Sequence, residues 1–343
     1  MTMLMAVKYW IKNALAHMLF YSGLLHLYRR LKLRGKAVVL TYHRVLSDEE
    51  RRNSFSNQAI VVSPRTFERQ LRFLKRHCKL LSAADFERHL RERKPFATGS
   101  CLITFDDGWR DNYTNALPIL RRYRAPAIIF LPISYIGTGR LFWQERLGRM
   151  LLWLCDRRPE GTEALLQRVG LSGPPPVERD ARRQWIEAAV NKLKARPIEE
   201  IEAVLEDAGR LVPQRLDPGS DVYLDWHEVD AMAREGISFG SHGVSHWPLT
   251  RLEPRRLAEE LKQSKLELER ACAAPISAVA YPNGDADAQV TARAADSGYA
   301  VGFTTRRGHA SIDDNPLAVR RVNINEAVTR TIPLFYCRVL GLL

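Results

Sequence analysis

The amino-acid sequence predicts an α/β protein built on a parallel sheet or a barrel. Apolar runs typical of buried strands lie at 37–42, 101–105, 127–132, 237–240, 278–282 and 300–304. Segments with apolar residues at helical spacing lie at 63–77, 82–93, 112–123, 257–272 and 290–297. Repeated strand–helix units of this kind favour parallel strands joined by helical crossovers.

Three other stretches complete the predicted order of elements. Ser63 and Pro64 suit an N-cap and a first helical position, so a helix should begin there. Residues 317–323 are predicted to form a last edge strand. Residues from about 144 to 220 show helical patterns without strand signals and contain a Gly-Pro-Pro-Pro loop, so we predict a helical insertion at about 144–220.

The composition is ordinary for a globular protein except for its charge. The chain has 343 residues, a formal net charge of +13 and a pI of about 9.7. A basic surplus favours a polyanion or an anionic membrane surface as a neighbour. Nucleic acid ranks last among these partners, because the sequence lacks helix-turn-helix, RNP-like and zinc-finger signatures.

The five cysteines indicate reduced, mostly buried thiols. They are widely spaced, and no C-x-x-C pair occurs. A disulfide framework or a zinc ribbon is therefore not predicted. Reduced thiols mildly favour a cytoplasmic location.

Residues 1–36 differ from the rest of the chain. They contain no Asp or Glu, and an uncharged, largely apolar run of 16 residues separates Lys12 from Arg29. A spanning helix needs about 20 predominantly apolar residues, so this run is short. No signal-peptide cleavage site follows it. We predict an apolar and basic helix that binds an anionic membrane surface from one side, the alternative being a helix packed on the protein's own core.

Two adjacent carboxylates follow the strand at 101–105. The stretch Thr104-Phe-Asp-Asp-Gly108 places Asp106 and Asp107 at the strand end. Buried carboxylates must be paired or bound to a metal. The pair could therefore divide into a metal ligand and a base, although Asp-Asp-Gly is also a common turn composition.

Two histidines downstream favour the metal interpretation. In Ser241-His-Gly-Val-Ser-His246, His242 and His246 are four residues apart. That spacing places both imidazoles on one face of a helical turn. With one aspartate they would form a two-histidine, one-carboxylate metal site with open positions. Alone, such a histidine pair is weak evidence.

Together with Ala280-Tyr-Pro-Asn-Gly284, these two motifs resemble those of the polysaccharide deacetylase family, which is also called the NodB homology domain or carbohydrate esterase family 4. The three motifs occur in the family's order and span about half of the chain. The resemblance implies an irregular (β/α)7 barrel over residues 37–343, preceded by the helix at 1–36. It also implies hydrolysis of N-acetyl groups on a sugar.

The resemblance assigns roles to individual residues. Asp107, His242 and His246 would hold a divalent metal, most plausibly Zn²⁺ given the mixed nitrogen and oxygen ligands. Asp106 would be the general base. His43, which follows a strand as in a Tyr-His-Arg subset of the family, would be the general acid.

The third motif should shape the substrate pocket. Tyr281, Pro282 and Asn283 are expected to line it, with a backbone N–H of Tyr281 or a neighbour facing the oxyanion.

One departure from the family pattern concerns an arginine. Many members have an arginine where Ala280 stands, and that arginine contacts the catalytic aspartate. Arg321, or its neighbour Arg320, is the candidate replacement. His309 in a polar loop is the rival candidate for the general acid.

We therefore expect a deacetylase acting on a polysaccharide or a lipid-linked saccharide, in exopolysaccharide or cell-envelope glycan synthesis. The charge and the N-terminal segment favour a peripheral membrane protein on the cytoplasmic side. The alternative is a catalytically silent carbohydrate- or lipid-binding protein on the same barrel. The sequence shows no second carboxylate pair of the kind that a glycosidase would need. It also lacks the further Asp and His ligands that a two-metal phosphoesterase would need.

Overall fold

Parallel strands form a closed barrel in one part of the protein. The computed structural model describes residues 3–158, 160–213 and 222–342. The strands of the described chain are β1 Ala37–Tyr42, β2 Arg44–Val45, β3 Val61–Val62, β4 Lys79–Leu80, β5 Ser100–Phe105, β6 Ile128–Leu131, β7 Ser238–Ser241, β8 Ala278–Ala280, β9 Val301–Arg307 and β10 Val319–Asn323.

Seven strands close the barrel in the order β1-β10-β9-β8-β7-β6-β5, and β5 pairs back onto β1. All of these pairings are parallel. Strand β4 adds to β5 outside the ring, and β2 and β3 form a separate pair. The expected irregular (β/α)7 barrel is confirmed.

Strand β10 was expected at an edge, and that expectation was wrong. It lies between β1 and β9, where it completes the ring. Its sequence suggested an edge because two arginines interrupt the apolar pattern. In the structure the two point to opposite sides: Arg321 is buried and Arg320 is exposed. Alternation along a strand explains this difference.

Helices surround the barrel. The helices of the described chain are α1 Met3–Tyr21, α2 Leu24–Lys32, α3 Asp48–Asn53, α4 Pro64–His77, α5 Ala83–Arg91, α6 Leu117–Arg122, α7 Trp143–Arg157, α8 Thr162–Arg168, α9 Arg179–Leu193, α10 Ile198–Leu211, α11 Trp226–Arg234, α12 Pro254–Cys272, α13 Ala288–Asp296, α14 Glu326–Thr329 and α15 Ile332–Val339. Side-chain caps fix several starts, including Ser63, whose hydroxyl accepts the Thr66 N–H at the beginning of α4. The helix predicted at 112–123 is a π-helical turn followed by α6.

The N-terminal segment contains two helices where the sequence suggested one. The chain breaks between α1 and α2 at Gly23, whose φ of 79° suits a residue without a side chain. Within the described residues, no helix is long and apolar enough to cross a membrane.

The chain divides into two compact units. One comprises Met1–Asp48, Gln58–Gly137 and Tyr223–Leu343 and contains the barrel. The other comprises Glu49–Asn57 and Thr138–Val222 and contains α7 to α10. In this second unit Ser56 donates a hydrogen bond of 2.7 Å to Glu145. The sequence gives no indication that 49–57 belongs with the segment predicted as an insertion, because no local pattern marks that contact.

Candidate active site

The two carboxylates diverge because the backbone turns sharply after β5. Asp107 has a φ of 75° and Gly108 a φ of 63°, so two consecutive residues are left-handed. A Cβ atom at Gly108 would lie 2.9 Å from Leu131 Cδ2, so only glycine fits without a shift. This turn sits at the carboxyl end of a barrel strand, where sites are built in such folds.

Asp107 meets both histidines of the second motif. Its Oδ1 lies 3.3 Å from His242 Nε2 and 3.1 Å from His246 Nε2. The three ligand atoms lie within 4.8 Å of one another. Ligands about 2.1 Å from one metal ion at angles of 90–109° would be separated by about 3.0–3.4 Å, so the residues present fit a metal ion.

Further groups orient these three side chains. The Trp109 indole N–H donates to Asp107 Oδ2 at 2.8 Å. His242 Nδ1 lies 2.7 Å from the Ala280 carbonyl, which accepts its N–H and leaves Nε2 as the nitrogen that faces Asp107. Burial raises the pKa of Asp107, but hydrogen bonds from His242 and His246 outweigh it and hold that pKa well below the ordinary range.

Glu260 of α12 holds the loop that carries His246. Its carboxylate accepts the N–H groups of Val244 at 2.7 Å and Ser245 at 3.0 Å, and also the Ser245 hydroxyl. His246 itself has a φ of 59°, a conformation that few non-glycine residues adopt. The loop is therefore anchored from the helix side. Sequence reasoning missed Glu260 and Trp109; only the position of Trp109 directly after Asp-Asp-Gly could have drawn notice.

Asp106 is paired with Arg321. The guanidinium donates two hydrogen bonds to the carboxylate, at 2.8 and 2.7 Å, and its Nε donates to the Thr304 carbonyl at 2.9 Å. Arg321 is 1% exposed and Asp106 is 2% exposed. Burial raises the pKa of Asp106, but the charge of Arg321 and the nearby histidines hold that pKa below its ordinary value. Arg321 thus occupies the place predicted for it, whereas Arg320 points to solvent.

His43 follows β1 and faces Asp106. Its Nε2 lies 3.9 Å from Asp106 Oδ2, and Asn112 donates to its backbone carbonyl at 2.8 Å. Among the described residues, His43 Nδ1 has no hydrogen-bond partner.

The rival histidine lies elsewhere. His309 contacts the Val339 carbonyl at 2.8 Å, and its neighbour Ala310 pairs with Ala37 at the far end of β1 from His43. His309 therefore takes no part in this cluster.

Two side chains of the third motif form hydrogen bonds outside the Asp-His-His cluster. Tyr281 is fully buried, and its hydroxyl donates to the Leu317 carbonyl at 2.8 Å. Its N–H is taken by the Phe303 carbonyl, which removes it as an oxyanion donor. Pro282 is buried, while Asn283 turns outward and donates to Asp285 at 2.6 Å. The motif's contribution is the Ala280 carbonyl that positions His242.

Comparison with known proteins decides the family. The polysaccharide deacetylase family profile matches residues 93–168 and 180–302, more than half of the chain. The chain belongs to the polysaccharide deacetylase family.

Relatives in the family share modest identity with this deacetylase. YxkH of Bacillus subtilis, whose own polysaccharide deacetylase assignment is provisional, is 21% identical over 296 residues, 86% of this chain and 74% of YxkH. The poly-β-1,6-N-acetyl-D-glucosamine N-deacetylase of Staphylococcus epidermidis is 31% identical over 118 residues, which cover 31% of this chain and 39% of that enzyme.

Solved structures share the fold. The deacetylase PplD of Streptococcus pyogenes, solved with acetate, aligns with a TM-score of 0.56 at 23% identity and covers 85% of this chain and 94% of PplD. IcaB of Ammonifex degensii aligns with a TM-score of 0.54 at 18% identity, covering 88% of this chain and 97% of IcaB.

Proposed function

We propose that this family member is a Zn²⁺-dependent N-deacetylase of an N-acetylated amino-sugar polymer or its lipid-linked precursor. The observation that carries the proposal is the placement of a buried Asp–Arg pair beside a complete Asp-His-His ligand set. The first supplies a charged base, and the second can hold a metal. Both lie at the carboxyl end of the barrel strands.

The chain's own residues divide the reaction between them. Asp106, kept ionised by Arg321, accepts a proton from the attacking water. His43 gives a proton to the amine nitrogen as the carbon–nitrogen bond breaks, and acetate leaves. Asp107, His242 and His246 would hold the divalent ion. That ion would supply polarisation of the amide carbonyl and a lower pKa for water at the site.

The preference for Zn²⁺ rests on the donor set. Two imidazole nitrogens and one carboxylate oxygen suit zinc with open positions for water and substrate. Two hydrogen bonds support this arrangement, from Trp109 to Asp107 and from His242 to the Ala280 carbonyl. Hydrogen bonds to metal-binding side chains hold those side chains in the orientation that the metal requires.

The preference for an amino-sugar polymer rests on the family and on one set of relatives. The S. epidermidis enzyme named above acts, by its name, on poly-β-1,6-N-acetyl-D-glucosamine. A role in exopolysaccharide or envelope glycan synthesis would follow from such a substrate.

Acetate release tests the catalytic proposal. The metal-loaded protein is incubated with β-1,6- and β-1,4-linked N-acetylglucosamine oligomers and with lipid-linked N-acetylated sugars. We expect release from at least one, and a loss of about a thousandfold or more in Asp106→Asn if that carboxylate is the base. Equal release by the variant would exclude Asp106 from that role.

Metal content tests the ligand set separately. His246→Ala should lower zinc binding by at least about a hundredfold in titration calorimetry, because one of three ligands is lost. His227→Ala is the matched control, since His227 is exposed on α11. Equal loss in both variants, or none in either, would contradict the site.

A silent carbohydrate-binding protein on the same barrel is the alternative. The main observation in favour of this alternative is that Ala280 stands where many family members have an arginine. The ion pair between Arg321 and Asp106 weakens that argument, because the aspartate has a counter-charge from another strand.

A further inference from the structure

The outward face of α1 is apolar from Val7 to Tyr21. Exposed apolar side chains recur at the three- and four-residue spacing of one helix face; they are Val7, Trp10, Ile11, Leu15, Met18 and Tyr21. Trp10 is 71% exposed and Tyr21 77%. Helices of soluble proteins normally turn such a face inward. Helix α1 therefore differs from an ordinary surface helix, whose outward side chains are mostly polar or charged.

Helix α2 adds three exposed leucines to the exposed apolar side chains of this segment. Leu24, Leu27 and Leu31 lie on one face at positions i, i+3 and i+7, and Leu31 is 74% exposed. We call the exposed apolar side chains of α1 and α2 the N-terminal face. So many exposed apolar side chains within one short segment mark an interaction site.

The inner side of α1 is packed, so the N-terminal face is not an unfolded end. Ala16 is fully buried, and Phe20 contacts the rings of Phe73 and Tyr336 at centroid distances of 6.1 and 5.9 Å. The alternative interpretation, a helix packed on the protein's own core, therefore describes the inner side only. The outer side needs a separate partner.

The segment that carries the N-terminal face has basic residues and no acidic ones. The first acidic residue of the chain is Asp48, whereas basic residues stand at Lys8, Lys12, Arg29, Arg30, Lys32, Arg34 and Lys36. A second copy of the chain would bring like charges together, which opposes association through this face.

We propose that the N-terminal face binds an anionic lipid bilayer from one side. Apolar side chains would enter the interfacial region, and basic residues would contact lipid phosphates. Trp10 and Tyr21 suit this environment, because Trp and Tyr are enriched where hydrocarbon meets headgroups. The proposal does not depend on the catalytic one.

The packing of α1 sets how the barrel would sit. Asn13 accepts a hydrogen bond of 3.1 Å from Thr331, and Glu326, shortly before Thr331, accepts the Ser63 N–H at the first turn of α4. Phe20 instead contacts the last part of α4, which leads to the amino end of the strands. Helix α1 therefore runs along the side of the barrel, and a bilayer on its outer face would leave the carboxyl end of the strands open.

Vesicle flotation with the full chain tests the proposal. We expect binding to phosphatidylcholine vesicles that contain phosphatidylglycerol, weakened by salt, and at least about tenfold weaker binding to phosphatidylcholine alone. Met18→Glu with Leu27→Glu should reduce binding at least about tenfold, as should Arg30→Glu with Arg34→Glu.

Single variants on α12 control for the kind of substitution, and each test substitution is also measured singly beside them. Leu266 is 49% exposed and Lys262 is exposed, so Leu266→Glu and Lys262→Glu make the same chemical changes away from the N-terminal face. They should leave binding unchanged, and thermal melting and zinc titration confirm folding of each variant. Absence of vesicle binding, equal binding to neutral vesicles, or self-association abolished by Met18→Glu without vesicle binding would each overturn the proposal.

Discussion

At the scale of residues, the adjacent aspartates depend on different partners. Asp106 relies on a guanidinium from β10, and Asp107 on two imidazoles and an indole. The backbone turn with a φ of 75° at Asp107 separates the two tasks. Substitutions of the partners should therefore affect catalysis and metal binding separately.

Arg321→Lys should impair catalysis. Lysine cannot reproduce the paired hydrogen bonds to Asp106 together with the Thr304 contact, so we expect a stability loss of about 1.5–3 kcal/mol and at least about a tenfold fall in kcat/KM. A weaker counter-charge raises the pKa of Asp106, so the acid limb of the pH–rate profile should move to higher pH. Urea unfolding and steady-state kinetics measure these effects. Arg320→Lys, on the exposed side of the same strand, should change neither.

Trp109→Phe should weaken metal binding while the fold is kept. Phenylalanine preserves most of the ring packing but cannot donate to Asp107 Oδ2. Loss of such an outer hydrogen bond typically lowers metal affinity about 10- to 100-fold. Zinc titration of the variant beside Trp226→Phe provides the comparison; equal affinities in the two variants would show that the indole N–H has no positioning role.

The sequence predicted some of these partners and not others. Arg321 was a candidate because Ala280 stands where many family members have an arginine, so another residue had to supply the positive charge. Trp109 and Glu260 were not, because their hydrogen bonds depend on backbone conformations that composition does not reveal. Tyr281 was expected to line the pocket, and its hydroxyl donates to the Leu317 carbonyl instead of standing free. Residues of strands buried on both faces show no polar alternation, so the sequence does not indicate which side faces the cleft.

At the scale of elements, one helix supports one loop of the site. The Glu260 side chain of α12 satisfies N–H groups of the loop that ends at His246. The Glu260 carboxylate supplies the hydrogen-bond acceptors that a neighbouring strand or helix turn would otherwise supply to these N–H groups.

Glu260→Leu should therefore detach the loop. It leaves two backbone N–H groups without an acceptor, so we expect a loss of about 2 kcal/mol or more in stability together with weaker zinc binding. Glu260→Gln should recover part of both, because its amide oxygen can accept and its NH₂ can donate to Ser245. Glu259→Leu, on the exposed side of α12, is the control. Failure of glutamine to restore either property would indicate that the negative charge, not the hydrogen bonding, is required.

At the scale of the whole molecule, the short apolar strands separated by helical patterns predicted parallel strands in a sheet or a barrel. The resemblance of the three motifs to the polysaccharide deacetylase family implied the (β/α)7 barrel. The N-terminal break at Gly23 was missed, since a single glycine within a helical pattern is ambiguous. The link between 49–57 and the second compact unit was also missed, because contacts between distant segments have no local signature.

The protein should lose stability in mild acid partly through His309. Burial and the nearby Lys32, Lys36 and Arg307 lower its pKa, although its hydrogen bond to Val339 opposes this. The folded state therefore resists a proton that the unfolded chain accepts at about pH 6.5, so this contribution is present above that pH and is lost as pH falls below it. Urea unfolding at neutral and mildly acidic pH should show a smaller decrease for His309→Gln than for the unsubstituted protein. Identical decreases would contradict the assignment.

The position of β10 has a consequence for how the protein assembles. This strand is the last of the ring in chain order, yet it sits between β1 and β9 and carries the counter-charge of Asp106. During synthesis, β1 and β5 are made long before β10. Asp106, at the end of β5, therefore has no counter-charge until Arg321 has been made. A buried carboxylate without a partner is strongly unfavourable. Closure of the ring and formation of the Asp106–Arg321 pair are thus a single event. A chain that lacks β10 would have an open ring and an unpaired Asp106.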